Sequence, residues 1–308
     1  MTHARTVIIG TRGSSLAMCQ AQIVQTLLEE RAPEYAYRLE PMTAHADQNP
    51  ELSLIEMGGE GVFVKALETA LLEERLDLAV HSLKDLPLDL SPTLRIAAVL
   101  ERDEPRDALV SRSGDSLDRL PSGTRIGTSS IRRRSQLRCV RRDVEYLDIR
   151  GNVDTRLRKL EAGRYDAIVL AACGLIRLGL EERITEYLDL THMLPEPGQG
   201  CLAVEARADD EAMLQMLQRL DHQPSRTCTE AERAFLRALG GGCRVPIAAY
   251  ARCVDGALVL EGAVIAADGA TNMRGTLTGS MDAPEEVGQR LATQLITQGA
   301  HELLSKVE

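Results

Sequence analysis

Hydrophobic and polar positions near the N-terminus follow the pattern of a buried strand and then an amphipathic helix. The apolar run Thr6–Gly10 predicts the strand, and Ser15–Arg31 has the helical period. The turn between them holds Arg12 and Ser14, just before the first helical turn, where unpaired N–H groups and the helix dipole favour an anion. Both residues are therefore candidate anion ligands, and an ordinary serine N-cap is the alternative interpretation.

The same pattern occurs a second time along the chain. Arg125–Arg134 (RIGTSSIRRR) again predicts a strand, a Gly-Thr step, paired serines and a helix, with Thr128, Ser129 and Ser130 in the turn. Each copy has a helix that runs into a strand, at 67–80 and at 157–169, and both of these contain Arg-x-Asp before the apolar run. Alternating strands and helices predict parallel α/β units. The pattern thus predicts two similar α/β lobes, whose anion-binding turns face a shared cleft.

The last quarter of the chain has a different pattern. Three strand-like runs joined by Asp-Gly turns occupy 245–253, 257–266 and 271–278, and an amphipathic helix is predicted over 283–307. Gly240, Gly241 and Gly242 stand before Cys243 at the entrance of this small α+β domain. Glycines without side chains let another molecule approach the thiol, which suits a covalent attachment. The alternative is a mobile turn with an incidental cysteine.

Composition limits the class of protein. The chain of 308 residues is 44% hydrophobic but only 3% aromatic, and its net charge is −10. Its length suits two or three domains. The sequence has no secretory signal pattern, no run of 18 apolar residues and no Cys-x-x-Cys among its seven cysteines. We therefore expect a cytoplasmic protein without membrane partner, disulfide framework or metal site.

Positive charge is concentrated in one region of this acidic chain. Residues 125–164 hold twelve Arg and Lys against five acids, a net charge of +7, which leaves −17 for the rest. This concentration beside an anion-binding turn predicts a small polyanionic ligand, because Arg grips carboxylates bidentately. RNA is the rival ligand, and the scarcity of aromatic residues for base stacking disfavours it.

Two further segments of the first lobe are candidates for function. A predicted strand ends at Ser82, Lys84 and Asp85, and a carboxylate at a strand's carboxyl end is well placed for chemistry in a cleft. Such an aspartate more often only solvates a loop. Residues 41–61 have little periodicity and several glycines, which is typical of a lid or of plain surface disorder.

Eight segments, in order, carry a resemblance to a known family. They are Gly10–Ala17 (GTRGSSLA), Gly61–Lys65 (GVFVK), His81–Pro87 (HSLKDLP), Arg102–Ala108 (RDEPRDA), Gly127–Arg133 (GTSSIRR), Arg150–Val153 (RGNV), Pro197–Gly200 (PGQG) and Gly241–Pro246 (GGCRVP). With these segments the chain resembles the porphobilinogen deaminases, also called hydroxymethylbilane synthases, over nearly its whole length. The resemblance implies two lobes like those of periplasmic solute-binding proteins, with a cleft between them, and a third, β-β-β-α domain. The implied domains are 1–100 with 201–218, 106–194, and 223–308.

The resemblance also implies a reaction and its residues. Four porphobilinogen molecules would be joined head to tail, with release of ammonia, on a dipyrromethane cofactor held by a thioether to Cys243. Asp85 matches the family's catalytic carboxylate. The residues implied to bind the cofactor are Ser82, Lys84, Thr128, Ser129, Ser130, Arg132, Arg133 and Arg156. Those implied to bind substrate and the growing polypyrrole chain are Arg12, Ser14, Arg150, Arg156 and Arg177. The enzyme would act as a monomer, without nucleic acid, membrane or metal.

The chain departs from the family pattern at a few positions. Glu60 stands where the family usually has Lys, Ala44 and Ala46 interrupt a Thr-x-Gly-Asp pattern, and Gly240 replaces a common Glu. We expect Glu60 to repel ligand carboxylates weakly and to raise the Michaelis constant several-fold.

Two other classes fit parts of the sequence. A two-lobed solute-binding protein for a polycarboxylate would share the repeated α/β pattern, but would need neither Cys243 nor a third domain. A cysteine hydrolase would need a histidine base, and the six histidines form no recognisable partner set.

Overall fold

The computed structural model describes residues 5–42, 62–241 and 245–304. Its first lobe begins as the sequence predicts, with a strand, a helix capped by Ser14 and a second strand. The elements up to residue 99 are β1 (Thr6–Arg12), α1 (Ser15–Arg31), β2 (Ala36–Met42), α2 (Val62–Leu72), β3 (Leu78–Ser82) and β4 (Leu94–Val99). Of the lid predicted over residues 41–61, the first two residues end β2, and residues 43–61, with Glu60 among them, lie outside the described residues.

A second set of α/β elements follows, and the chain then returns to the first sheet. The second set is β5 (Asp107–Ser111), β6 (Arg125–Gly127), α3 (Ile131–Val140), β7 (Glu145–Leu147), α4 (Val153–Glu161), β8 (Ala167–Ala171), α5 (Ala172–Arg177) and β9 (Glu186–Tyr187). The returning segment is β10 (Leu202–Arg207) with α6 (Glu211–Gln218).

The two five-stranded sheets have the same topology. Their strand orders are β2-β1-β3-β10-β4 and β7-β6-β8-β5-β9. In each sheet the first three strands are parallel, while the fourth runs antiparallel to both of its neighbours. Strand β10 of the first sheet therefore corresponds to β5 of the second. The predicted pair of similar α/β lobes is present.

The repeated Arg-x-Asp segments have the same structural role in both lobes, which is to hold a neighbouring strand. The Asp77 carboxylate accepts the backbone N–H of Ile8 at 2.7 Å, and the Asp166 carboxylate accepts that of Arg125 at 3.0 Å. The residue before each aspartate packs on a glycine of the strand that the aspartate holds, which is Gly10 in β1 and Gly127 in β6. A Cβ at Gly10 would come within 2.3 Å of Leu76, and one at Gly127 within 2.9 Å of Tyr165. A larger residue at either glycine would force the side chain of Leu76 or Tyr165 to move.

The third sheet is antiparallel, in the order β11-β12-β13. Its elements are α7 (Gln223–Ala238), β11 (Ile247–Val254), β12 (Ala257–Ile265), β13 (Asn272–Ser280), α8 (Pro284–Thr297) and α9 (Ala300–Leu304). The three predicted strands are confirmed, with Asp255 and Gly256 both at positive φ in the first turn. The prediction of one helix over 283–307 is wrong, because Gly299, at a φ of 103°, separates α8 from α9.

The chain divides into two compact units. One comprises the described residues up to Arg102 together with Cys201–Arg226, and the other comprises Asp103–Gly200 together with the described residues from Thr227 onward. The second lobe and the third sheet thus lie in one unit, and the three predicted domain boundaries stay predictions. In the part of the chain that the structure describes, no helix is long and apolar enough to cross a membrane.

Candidate active site

Strands β1 and β3 bring one group of candidate residues to a single edge of the first sheet. The two strands are parallel neighbours, so their carboxyl ends meet there. Arg12 is the last residue of β1, and Ser14 caps α1 by accepting the N–H of Ala17 at 3.3 Å. Gln20, in the second turn of α1, donates to the Ser82 hydroxyl at 2.9 Å. The structure thus brings Arg12, Ser14 and Ser82 together.

Lys84 and Asp85 lie in a single 3₁₀ turn, Leu83–Asp85, directly after β3. Leu83 and Leu86 are buried in one apolar cluster with Val99 and Ala203. The Leu83 N–H also donates to the Cys201 carbonyl at 3.0 Å. Because the turn is anchored on both sides, the exposed Asp85 is held at the carboxyl edge of the sheet.

The corresponding turn of the second lobe holds the three hydroxyl residues. Ser130 caps α3 by accepting the N–H of Arg133 at 3.4 Å. The buried Thr128 accepts the N–H of Ser130 at 3.3 Å, and the Ser129 hydroxyl donates to the Ile149 carbonyl at 2.8 Å. These bonds order the turn, so that the helix N-terminus adds a positive potential at this edge.

Arg132 and Arg133 are engaged inside the second unit by a carboxylate that sequence reasoning missed. The fully buried Asp107 accepts from Arg133 at 3.0 and 2.8 Å and from Gln199 at 2.9 Å, and its other oxygen lies 2.8 Å from Arg132 Nη1. Burial alone would raise the pKa of Asp107, but the positive charges of Arg132 and Arg133 outweigh it and hold that pKa well below its ordinary value. Asp107 is therefore expected to be ionised at neutral pH and to hold Arg132 and Arg133 in place.

Arg132 and Arg133 differ in how many of their guanidinium N–H donors are already used within the protein. The three guanidinium nitrogens of Arg133 all donate internally, to Asp107 and to the Val169 carbonyl. Arg132 Nη1 donates to the Leu194 carbonyl at 2.7 Å, while its Nε and Nη2 have no hydrogen-bond partner among the described residues although they are buried. Both side chains are nearly inaccessible, so neither belongs to a solvated helix face. Arg132 thus keeps two donors that no described residue uses.

Arg156 is a cation without an anion. Its Nε donates to the Gly151 carbonyl at 2.7 Å, and among the described residues no carboxylate pairs with it. Burial, and next the positive charge of Arg133, lower the pKa of Arg156 to about 10. A desolvated guanidinium beside another cation favours a bound anion, because the anion would replace the lost hydration. This observation fits a polycarboxylate ligand such as a dipyrromethane.

The remaining two arginines lie at different places. Arg150 is exposed, just before the Gly151–Asn152 turn that starts α4. Arg177 ends α5, where its guanidinium pairs with Asp103 at 2.8 Å and donates to the Gly200 carbonyl at 2.7 Å. Arg177 thus holds both segments that adjoin the first unit in sequence, and a substrate contact would be an addition to that role.

Cys243 lies outside the described residues, but the structure shows the two glycines that lead from helix α7 towards it. Gly240 stops helix α7 with a φ of 67°, a left-handed conformation in which glycine is favoured. A Cβ at Gly241 would come within 2.4 Å of Leu236 and 2.8 Å of Ile247. Gly240 therefore serves helix termination, and Gly241 serves close packing. The sequence analysis gave a different reason for these glycines, namely access of another molecule to the Cys243 thiol.

A second buried carboxylate also escaped sequence reasoning. Glu205 on β10 is completely buried and lies 3.0 Å from Nε2 of His81, the residue before Ser82. Glu205 also affects a neighbouring carboxyl group, Glu68. The pKa of Glu68 is raised by burial and, to a smaller extent, by the negative charge of Glu205. His81 stands in the quoted segment HSLKDLP, and only the pairing of β10 with β3 brings Glu205 to it. No sequence signal could have found this partner.

Each unit, taken by itself, presents arginines, hydroxyls and a helix N-terminus at the carboxyl edge of its own sheet. The first unit also has an exposed carboxylate, Asp85, just after β3. Among the described residues, no cluster of His, Cys, Asp and Glu could hold a metal ion. This arrangement suits a protein that binds a small polycarboxylate through arginines, hydroxyls and helix N-termini.

Comparison with known proteins identifies the family. The family model described as "Porphobilinogen deaminase, dipyromethane cofactor binding domain" matches residues 7–215, and that for the "Porphobilinogen deaminase, C-terminal domain" matches residues 226–297. The porphobilinogen deaminase of Desulforudis audaxviator is 47% identical over 303 residues, 98% of each chain. That of Xanthomonas campestris pv. campestris is 48% identical over 302 residues, 98% of this chain and 99% of its own. The chain belongs to the porphobilinogen deaminase family.

Family membership confirms several predictions made from the sequence. The chain is a transferase of tetrapyrrole biosynthesis, and it contains the family's dipyrromethane cofactor-binding domain. The two α/β lobes and the small third sheet are also as predicted. A solute-binding protein without catalysis is not favoured. The roles of individual residues stay predictions.

Proposed function

We propose that this chain joins four porphobilinogen molecules head to tail, with release of ammonia, to give the linear tetrapyrrole hydroxymethylbilane. The family match supports the reaction, and Arg156 is the observation in the structure that carries the proposal. A half-buried cation without a carboxylate partner among the described residues fits a ligand that brings its own carboxylates. Every pyrrole ring of porphobilinogen carries an acetate and a propionate, so the demand for cations grows with chain length.

The cofactor would be held at the edge of the second sheet and at the end of β3. We assign its carboxylates to Arg132, Arg156 and the Thr128–Ser130 turn, with Ser82 and Lys84 as further contacts. Arg133 is assigned to fixing Asp107, and acts on the ligand through the position of Arg132. When bound through a thioether to Cys243, the dipyrromethane supplies the pyrrole carbon to which the first porphobilinogen is joined. Substrate carboxylates are assigned to Arg12, Ser14, Arg150, Arg156 and Arg177.

Asp85 is assigned the catalytic role. Positive charge develops on the pyrrole ring of porphobilinogen as ammonia leaves, and a fixed carboxylate that accepts the pyrrole N–H stabilises it. In this proposal the carboxylate also takes the proton from the attacked pyrrole carbon, and the carboxylic acid so formed gives that proton to the amine that departs next. Anchoring of the turn by Leu83 and Leu86 supports this role, since stabilisation requires a carboxylate that does not reorganise.

We further propose that the enzyme acts as a monomer in the cytoplasm and needs no metal ion or nucleic acid. The seven cysteines without a Cys-x-x-Cys pair support a reducing compartment. Incubation of the purified chain with porphobilinogen tests the function. Four ammonia molecules should be released for each hydroxymethylbilane, measured as uroporphyrin after acid treatment and oxidation. Binding of porphobilinogen without ammonia release would instead favour the solute-binding alternative.

Replacing Arg156 with Met should separate ligand binding from folding. Removal of a desolvated cation should leave the free energy of unfolding unchanged or higher. Each charged hydrogen bond lost to a carboxylate costs roughly 1.5–3 kcal/mol. We therefore expect at least a tenfold loss in cofactor occupancy or a tenfold rise in the Michaelis constant, measured by intact mass and steady-state kinetics.

Arg158 offers a matched control for this substitution. It is on the same helix and is exposed, and among the described residues its side chain donates only to the Thr155 hydroxyl, at 3.1 Å. Arg158→Met should change neither cofactor occupancy nor the Michaelis constant. Unchanged values in Arg156→Met as well would remove Arg156 from the ligand site.

A further inference from the structure

Two cysteines of the second unit lie against each other. Cys228 is in the second turn of α7, Cys253 is near the end of β11, and their sulfur atoms are 3.7 Å apart. Cys228 is buried and Cys253 is half-buried, both in the apolar core of the third sheet. A disulfide has a sulfur–sulfur distance of about 2.05 Å, so a modest side-chain rotation would bring the two atoms to bonding distance.

The two elements that carry these cysteines flank the segment of Cys243. Helix α7 leads into residues 240–246, and strand β11 leads out of them. A bond between Cys228 and Cys253 would close a covalent ring that contains Cys243. Such a ring would tie together the two elements on which the cofactor attachment depends.

We propose that Cys228 and Cys253 form a reversible intramolecular disulfide when the protein meets a peroxide. The Cys253 thiolate attacks one peroxide oxygen, so that a sulfenic acid forms and the other oxygen leaves as water. The Cys228 thiolate then attacks the sulfenic sulfur and expels the hydroxyl group as a second water. In sum, two thiols and one hydrogen peroxide give one disulfide and two water molecules. A dithiol reductant reverses the reaction by exchange.

Other described cysteines lack one of the features that this reaction needs. Cys173 and Cys201 are buried. Cys139 is partly exposed, but burial raises the pKa of its thiol, which disfavours the reactive thiolate. Cys19 is also partly exposed and lies in the other compact unit. Cys253 combines partial exposure with a sulfur atom of a second cysteine at 3.7 Å.

Hydrogen peroxide treatment of the intact, cofactor-loaded protein tests the proposal. We expect most chains to lose two hydrogen masses, and a digest without reductant should contain a peptide pair joined through Cys228 and Cys253. Dithiothreitol should restore the original mass. The closed ring should also raise the thermal unfolding midpoint by roughly 5–10 °C until the reductant is added.

Substitutions separate this pair from the other thiols. Cys253→Ser and, independently, Cys228→Ala should abolish the linked peptide, whereas Cys19→Ser should leave it unchanged. The unfolding curve of each variant is compared with that of the unsubstituted protein to show that the variant is folded. The test needs only one of Cys253→Ser and Cys228→Ala to be folded. A Cys253 sulfinic acid without a link in the unsubstituted protein would overturn the proposal. A link to another cysteine, or between two chains, would overturn it as well.

Discussion

Asp85→Asn should abolish turnover while the cofactor stays attached. The amide keeps the shape of the side chain, and the turn remains anchored by Leu83 and Leu86, so the fold and the assembly of the site are retained. What is lost is the negative charge that stabilises the developing pyrrole cation. Loss of one such electrostatic group costs roughly 10²–10³-fold in rate. Intact mass gives the cofactor occupancy, and release of ammonia gives kcat.

Two further substitutions decide whether the loss of negative charge is what reduces turnover in Asp85→Asn. Asp85→Glu keeps the carboxylate and should retain more activity than Asp85→Asn. Asp89→Asn removes another exposed aspartate four residues further along the chain, and should leave kcat unchanged. A higher rate in Asp85→Asn than in Asp85→Glu would contradict an electrostatic role and would leave Asp85 with a positioning role only.

Asp107→Asn should cause the largest loss of stability among the substitutions considered. The buried carboxylate is shared by Arg132 and Arg133, so its neutralisation leaves two guanidiniums without a counter-charge. Breaking a buried ion pair from one side costs roughly 3–5 kcal/mol. Denaturant unfolding at neutral pH should show a loss of this size. Wild-type stability in this variant would show that Asp107 does not hold the two arginines.

The effect of Asp107→Asn should depend on pH in a defined direction. The pKa of Asp107 is lower in the folded than in the unfolded protein, so the stabilisation is fully present above the unfolded value of about 4. It is lost as the pH falls below that value. The difference between wild type and variant should therefore be complete at pH 7 and shrink from pH 4 downward. Asp143→Asn is the control, because the Asp143 carboxylate pairs with Arg141 at an exposed position.

The sequence predicted the elements whose residues are neighbours along the chain. The helix Ser15–Arg31, the serine caps at 14 and 130, and the Asp-Gly turn at 255 and 256 all follow from local preferences. The repeated Arg-x-Asp segments indicated the duplication. The structure supplied its reason, since each aspartate holds the strand that leads into the serine turn of its own lobe.

Long-range partners could not be predicted in the same way. Arg132 and Arg133 were interpreted as ligand-binding residues because they are adjacent cations beside a turn. Their pairing with Asp107 depends on β5 lying next to β8, which only the fold provides. Burial also distinguishes Arg156, whose charge has no carboxylate partner among the described residues, from the exposed Arg158. Sequence patterns give the number of cations, and the fold decides which of them remain for a ligand.

The mass of the purified chain tests the central claim most directly. If a dipyrromethane is joined to Cys243, the protein should be heavier than its sequence by two condensed pyrrole units. The added mass should map to the peptide that contains Cys243. Cys243→Ser should fold, have the mass of its sequence and make no hydroxymethylbilane. An unmodified Cys243 in protein that converts porphobilinogen would contradict the account.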